Sequence, residues 1–77
     1  MRLGVVEGEY HWHKQEGDDE YLYVVKGHLL IGLHDRIIDL KTRWGVVIPI
    51  GVMLRPRAPE RTAMLRVKTK EIVPTGS

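Results

Sequence analysis

The stretch GEYHWHKQEGDDEYLYVVKG, residues 8–27, carries the strongest signal in the sequence. Alternate residues of a β-strand point to the same face, so His11 and His13 project side by side while Trp12 faces the opposite way. Glu20, on the following segment, can add a carboxylate to the two imidazoles. Histidine nitrogens and carboxylate oxygens are ligands for zinc, iron, manganese, nickel and copper. The stretch therefore predicts a polar site with the donors for one divalent metal ion.

Short apolar runs rich in Val, Ile, Leu and Tyr continue on both sides of this stretch, with turn residues between them. Runs of this length and composition are typical of β-strands. No window shows a capped helical pattern. The sequence predicts an all-β sandwich or barrel with a turn at residues 57–60, and strands at residues 3–6, 9–13, 21–25, 28–33, 37–40, 45–48, 53–55 and 62–69.

The strand Tyr21-Leu22-Tyr23-Val24-Val25 is apolar on both of its faces. Leu22 and Val24 share the face of Glu20, whereas Tyr21, Tyr23 and Val25 share the other. An apolar face is stable only when it is covered. We expect the barrel interior to cover one face, and a second layer or a second subunit to cover the other.

The chain has 77 residues and no cysteine, which predicts a single domain, residues 1–77, without a disulfide. A domain of this size has marginal stability on its own. We expect a homodimer for this reason. Met1-Arg2 begins no export signal, and no apolar run has the roughly 20 residues that a membrane span requires. The expected location is the cytoplasm, with no membrane partner.

Charge is unevenly distributed along the chain. Residues 1–20 carry two basic and six acidic side chains (2 − 6 = −4), and residues 41–70 carry eight and one (8 − 1 = +7). Such a division fits an anionic ligand, nucleic acid or self-complementary pairing. Residues 66–70 alternate like an exposed edge strand whose lysines face water, and this interpretation is favoured.

Several functional classes are excluded by composition. The only serine is Ser77 and cysteine is absent, so a serine or cysteine hydrolase would have no nucleophile. Glycine-rich phosphate loops and cysteine-based zinc fingers are also absent. Aromatic residues are too scattered among the basic ones for a nucleic-acid stacking surface, so no nucleic-acid partner is expected. His28 and His34 lie beside turns and are expected to be exposed rather than ligands.

The motif residues resemble the cupin superfamily, in particular its small single-domain members of the cupin-2 type. Its first motif matches Gly8, His11, His13, Glu20 and Gly27, and its second motif matches Gly45, Pro49 and Gly51. The resemblance implies a small cupin barrel, a double-stranded β-helix of the jelly-roll type. It also implies a ligand pocket between two sheets, lined by His11, His13, Glu20, Leu22 and Leu54. Leu54 stands where metal-binding cupins have a second-motif histidine, so the implied metal ligands are His11, His13 and Glu20.

Three functions remain open, because a fold does not determine a function. The favoured one is a binding module that holds a small polar or anionic molecule, with a residual divalent-metal site. The second is a metal-dependent enzyme, an isomerase or dioxygenase with a two-histidine, one-carboxylate centre. The third is a structural dimer without a ligand.

Overall fold

The computed structural model describes residues 1–68, whose regular elements are all β-strands. The seven strands are β1 (Arg2–Glu9), β2 (His13–Lys14), β3 (Glu20–Lys26), β4 (His28–Gly32), β5 (Ile37–Lys41), β6 (Gly45–Ile48) and β7 (Met53–Lys68). The predicted all-β architecture is confirmed. Within the described residues, no helix has the length and apolarity to cross a membrane.

Strand β7 organises the sheet because it pairs along both of its edges. One edge bonds β3 along its last part and β4 along its first part, so the path of hydrogen-bonded neighbours runs β5-β4-β7-β3-β6. The other edge bonds β1 and β2, and all of these pairings are antiparallel. The sheet curls around β7 into a half-barrel, with the core on its concave side.

The length of β7 corrects the sequence prediction. Residues 53–55 and 62–69 were expected as separate strands with a turn at 57–60, but the strand is continuous from Met53 to Lys68. Pro56 and Pro59 suggested a break because proline cannot donate to a strand ladder. Ala58 and Thr62 are nevertheless fully buried on the inner face, so the core holds this segment in the sheet. Thr69, the last residue of the predicted strand, lies outside the described residues.

The sheet bends where three strands meet near Thr62. The pairing of β1 with β7 shifts register between Val6 and Gly8, and that of β3 with β7 shifts between Val24 and Lys26. Such bulges increase local twist and bend a sheet. Gly27 follows with a φ of 122°, and a Cβ there would lie 2.8 Å from Thr62 Cα. This turn requires glycine, because a side chain would clash with Thr62 and only glycine adopts such a φ without cost.

The core lies between the two halves of the curled sheet. Alternation along β3 buries Leu22 and Val24 and leaves Tyr21 and Tyr23 half-buried on the convex side. Among residues 1–68, nine buried apolar residues form the core: Leu22, Val24, Leu29, Ile31, Leu40, Ile48, Leu54, Ala58 and Met64.

Candidate functional site

An open cavity of about 320 Å³ lies on the concave side of the sheet. Its apolar wall is formed by Val6, Leu22, Leu29, Leu54, Pro56 and Met64, and its polar groups belong to Tyr10, His11, His13, Glu20 and Arg66. The structure thus brings together around one cavity the five residues that were expected to line a pocket: His11, His13, Glu20, Leu22 and Leu54. Leu22, Leu54 and Met64 are buried, whereas both histidines are exposed, so the cavity is apolar at depth and polar towards solvent.

His11 lies in the segment that connects β1 with β2, and His13 is the first residue of β2. The strand expected over residues 9–13 is interrupted, since β1 ends at Glu9 and only His13 and Lys14 pair again with β7. The backbone N–H of Tyr10 donates to the Pro56 carbonyl at 3.0 Å and fixes the segment over β7. His13 Nδ1 lies 3.3 Å from the carbonyl oxygen of His11. When Nδ1 donates this bond, the neutral ring presents Nε2 as an acceptor.

Trp12 lies away from the cavity. Its ring stacks on His34, with centroids 5.1 Å apart and planes 11° from parallel. The guanidinium of Arg55 lies 5.6 Å from the Trp12 ring centroid. This stack ties the histidine segment to the turn after β4 and to β7, which holds His11 and His13 in position.

Glu20 begins β3 and is the buried carboxylate of the cavity, with 6% of its side chain exposed. Its Oε1 accepts a hydrogen bond from Arg66 Nη2 at 3.2 Å, and its Oε2 lies 3.8 Å from Lys68 Nζ. The register explains both contacts, because Lys68 is directly opposite Glu20 and Arg66 is opposite Leu22, two residues further on. Two cations therefore offset the charge of one carboxylate.

This arrangement does not fit a resident metal ion. Among residues 1–68, no group of three or more His, Asp or Glu side chains is placed to hold one. The carboxylate of Glu20 is paired with Arg66 and Lys68, and a metal ion at that point would face two positive charges. Leu54, directly opposite His13 and 2% exposed, contributes an aliphatic wall instead of a donor. The prediction that His11, His13 and Glu20 jointly bind a metal finds no support in this geometry.

Arg66 and Lys68 are the site residues that sequence reasoning missed. They were assigned to an exposed edge strand, but β7 is paired on both edges and these two side chains turn towards Glu20. Their spacing of two residues did place them on one face. Only the register of β7 against β3 puts that face beside the carboxylate, and this register is not encoded in any local motif.

The two remaining histidines lie outside the cavity; His34 is exposed, as expected, whereas His28 is half-buried. His28 Nε2 is hydrogen-bonded to Asp39 of β5, and His34 belongs to the stack on Trp12. Neither side chain is among those lining the cavity. They are therefore not in position to replace the missing second-motif ligand.

A curled antiparallel sheet that holds the first-motif residues around an open cavity is the architecture of a cupin. A cupin-2 domain-containing protein from Shewanella frigidimarina superposes with a TM-score of 0.79 and 37% identity, over 86% of this chain and 66% of that one. A cupin superfamily protein from Desulfitobacterium hafniense, at 18% identity and a TM-score of 0.77, shares the fold over 86% of this chain and 62% of its own. These likenesses show that the chain has the cupin fold.

The sequence is also 39% identical to the uncharacterized protein YdbB of Bacillus subtilis strain 168. The alignment spans 72 residues, which are 92% of this chain. The chain spans 64% of the length of that relative. No family model matches the sequence.

Proposed function

We propose that this cupin domain is a binding module for a small organic anion, one with an apolar body and a carboxylate head, and that it binds this molecule without a metal ion. The pairing of Glu20 with Arg66 and Lys68 is the observation that carries the proposal. It occupies the carboxylate that a metal centre would need. It also holds the guanidinium of Arg66 at the cavity wall, and a cation at this point favours an anionic ligand.

The dimensions and lining of the cavity support a small amphiphilic ligand. A volume of about 320 Å³ is at the lower end of the range for small-molecule pockets. The deep wall of Leu22, Leu54 and Met64 suits an apolar body. At the open side, the guanidinium of Arg66 and the ring of His11 carry N–H donors that are available to a carboxylate that remains near water.

The test is a titration of chelator-treated protein with benzoate and with benzyl alcohol, which have the same apolar ring and differ in charge. Backbone amide NMR shifts report both affinity and location. We expect benzoate to bind at least about tenfold more tightly than benzyl alcohol, because a charge-assisted contact is worth about 1.4 kcal/mol or more. The shifts should cluster around Leu22, His13 and Leu54 and leave β5 unchanged.

Two outcomes contradict the proposal. If benzoate binds only after a divalent metal is added, the metal-dependent enzyme becomes the better hypothesis. Glu20 would then have to break its contacts with Arg66 and Lys68 and coordinate the metal. If neither compound shifts the cavity amides, the structural module without a ligand is favoured.

A further inference from the structure

The polar rim of the cavity contains one residue more than the strand that it lies against. Glu9 is opposite Arg57 of β7, and His13 is opposite Leu54. Residues 10–12, which we name the rim bulge, therefore face only two residues of β7. An extra residue of this kind interrupts a β-ladder and redirects the side chains around it.

The rim bulge places two consecutive side chains at the cavity. In a regular strand, consecutive side chains point to opposite faces of the sheet. Tyr10 and His11 nevertheless both line the cavity, whereas Trp12 does not. The position of the His11 ring at the cavity therefore depends on an irregular backbone rather than on a β-ladder.

Backbone bonding holds the two sides of the rim bulge unequally. On one side, the Tyr10 N–H donates to the Pro56 carbonyl at 3.0 Å, and the eight residues of β1 precede it. On the other side, β2 has only two residues, His13 and Lys14. A strand this short contributes few ladder bonds, so the part of the bulge next to His13 depends on other contacts.

The side chain of Trp12 supplies these contacts. Its ring stacks on His34, with centroids 5.1 Å apart, and the guanidinium of Arg55 lies 5.6 Å from its centroid. Gly32 of β4 is paired with Arg55, and this register brings the turn that carries His34 beside the rim bulge. Stacked aromatic rings attract each other beyond the burial of their area, and a cation near an indole adds to this attraction. The stack therefore fastens the rim bulge to two paired strands.

We propose that Trp12 is a positioning residue that makes the cavity selective for anionic ligands. This inference rests on the proposed function, in which the His11 ring offers an N–H donor to a carboxylate. The stack fixes the rim bulge and so keeps this ring at the cavity. A rim that moves freely has to be ordered when the ligand binds, which lowers the affinity for the carboxylate head. The apolar body of the ligand contacts the deep wall, so its contribution is unchanged.

The two tryptophans of the chain provide a matched comparison. Trp12 is 41% exposed and Trp44 54%, and Trp44 also has a cation near its ring, Lys41 Nζ at 5.7 Å from the centroid. Trp44 does not line the cavity. In titrations of chelator-treated protein, Trp12→Ala should lower benzoate affinity at least about threefold and benzyl alcohol affinity less than about 1.5-fold, given the usual strength of an aromatic stack. Trp44→Ala should change neither affinity.

Three further variants test whether Trp12 acts through His11 and through the stack. In the His11→Ala background, Trp12→Ala should cause no further loss of benzoate affinity, because the group that it positions is absent. Trp12→Phe keeps an aromatic ring on His34 and should restore most of the affinity. His34→Ala removes the stack without changing a residue of the cavity, and it should reproduce the effect of Trp12→Ala.

NMR measurements without a ligand test the positioning itself. In the wild type, the indole ring should shift the ring protons of His34 upfield, and the backbone order parameters of residues 10–13 should be near about 0.85, the value of a rigid backbone. Trp12→Ala should abolish the upfield shift and lower these order parameters below about 0.6. Trp44→Ala should leave both quantities unchanged.

The outcomes separate this inference from the proposed function. A wild-type protein that binds no benzoate contradicts the proposed function, and the order parameters then decide alone whether Trp12 fixes the rim bulge. If the wild type prefers benzoate but Trp12→Ala and Trp44→Ala have the same effect, the inference is overturned. Equal losses of benzoate and benzyl alcohol affinity in Trp12→Ala also overturn it, since they indicate a general structural role. So do order parameters that Trp12→Ala leaves unchanged.

Discussion

Glu20 is a buried carboxylate that contacts two cationic side chains. Its side chain is 6% exposed, and its partners Arg66 and Lys68 are 48% and 35% exposed. A buried carboxylate without partners would be strongly destabilising. The two cations remove that penalty and remain hydrated on their outer sides, so the pair fixes β3 to β7 at the wall of the cavity.

We predict that Glu20→Gln lowers stability slightly and strengthens anion binding. The amide keeps the shape of the carboxylate but loses the charge-assisted contact with Arg66, a loss of about 1 kcal/mol because the arginine can rehydrate. With the competing negative charge removed, benzoate should bind about three- to tenfold more tightly. Urea denaturation and the amide NMR titration measure the two effects.

Glu7→Gln, at an exposed position of β1, is the control for the change in net charge. This control should change neither the stability of the domain nor its affinity for benzoate appreciably. If Glu20→Gln weakens benzoate binding instead, the carboxylate is part of the recognition site and the assigned role of the ion pair is wrong.

Strand β7 shows at the element scale what the sequence could and could not predict. Strands β3 to β6 follow from β-branched and aromatic runs between turns such as Gly27, and the family resemblance named the five residues that the structure places around the cavity. The continuity of β7 was not predictable, because Pro56 and Pro59 are local signals for a break and the burial of Ala58 is a tertiary effect. The pairing of Arg66 with Glu20 depends on the same long-range register.

The turn between β3 and β4 is held by two threonines that make similar bonds at different depths. Thr62 Oγ1 accepts from the backbone N–H of His28 at 3.0 Å and lies 2.9 Å from its carbonyl oxygen, in a fully buried position. Thr42 Oγ1 contacts the N–H and carbonyl of Gly27 at 3.1 Å each, but this site is exposed. The two sites isolate the effect of burial on the same kind of bond.

We therefore predict that Thr62→Val destabilises the domain by about 2 kcal/mol and Thr42→Val by less than about 0.5 kcal/mol. Valine preserves the shape of threonine but leaves the backbone groups of His28 unsatisfied in the core, whereas water replaces the hydroxyl at Gly27. Urea denaturation with an unchanged m-value is the measurement. Equal losses at the two positions would show that the bend near Thr62 opens to solvent.

The pairing of β2 with β7 predicts where a metal site can be introduced. Because Leu54 is directly opposite His13, Leu54→His places a third imidazole beside His11 and His13. This variant should bind Zn²⁺ or Ni²⁺ at least about a hundredfold more tightly than the wild type, at a stability cost of about 2 kcal/mol or more for the lost buried leucine. Calorimetric titration measures the affinity, and His13→Ala in the Leu54→His background should abolish it. A wild-type protein that binds either metal equally well would restore the two-histidine, one-carboxylate hypothesis.

At the scale of the whole molecule, the fold interleaves the acidic and basic segments of the chain. The acidic stretch, residues 7–20, runs from the end of β1 to the start of β3. Both of these strands pair with the basic strand β7. Glu9 lies 3.6 Å from Arg57, and Glu20 lies between Arg66 and Lys68. Within residues 1–68, acidic and basic segments of the chain therefore lie side by side at these contacts, and we expect the attraction of an anion to come from the groups beside the cavity.

This local origin of the attraction determines how ligand binding should respond to salt. Raising NaCl from about 20 mM to 500 mM shortens the Debye length from about 20 Å to about 4 Å, which screens exposed charges but affects contacts at hydrogen-bond distance much less. We predict that benzoate affinity falls only about two- to fivefold over this range, while benzyl alcohol affinity stays constant or rises slightly, because salt strengthens apolar burial. Titrations at four NaCl concentrations measure how the affinity for each of the two compounds depends on salt. A loss of benzoate affinity of a hundredfold or more would mean that distant arginines such as Arg55 and Arg57 attract the anion, and that the cavity does not bind its head group directly.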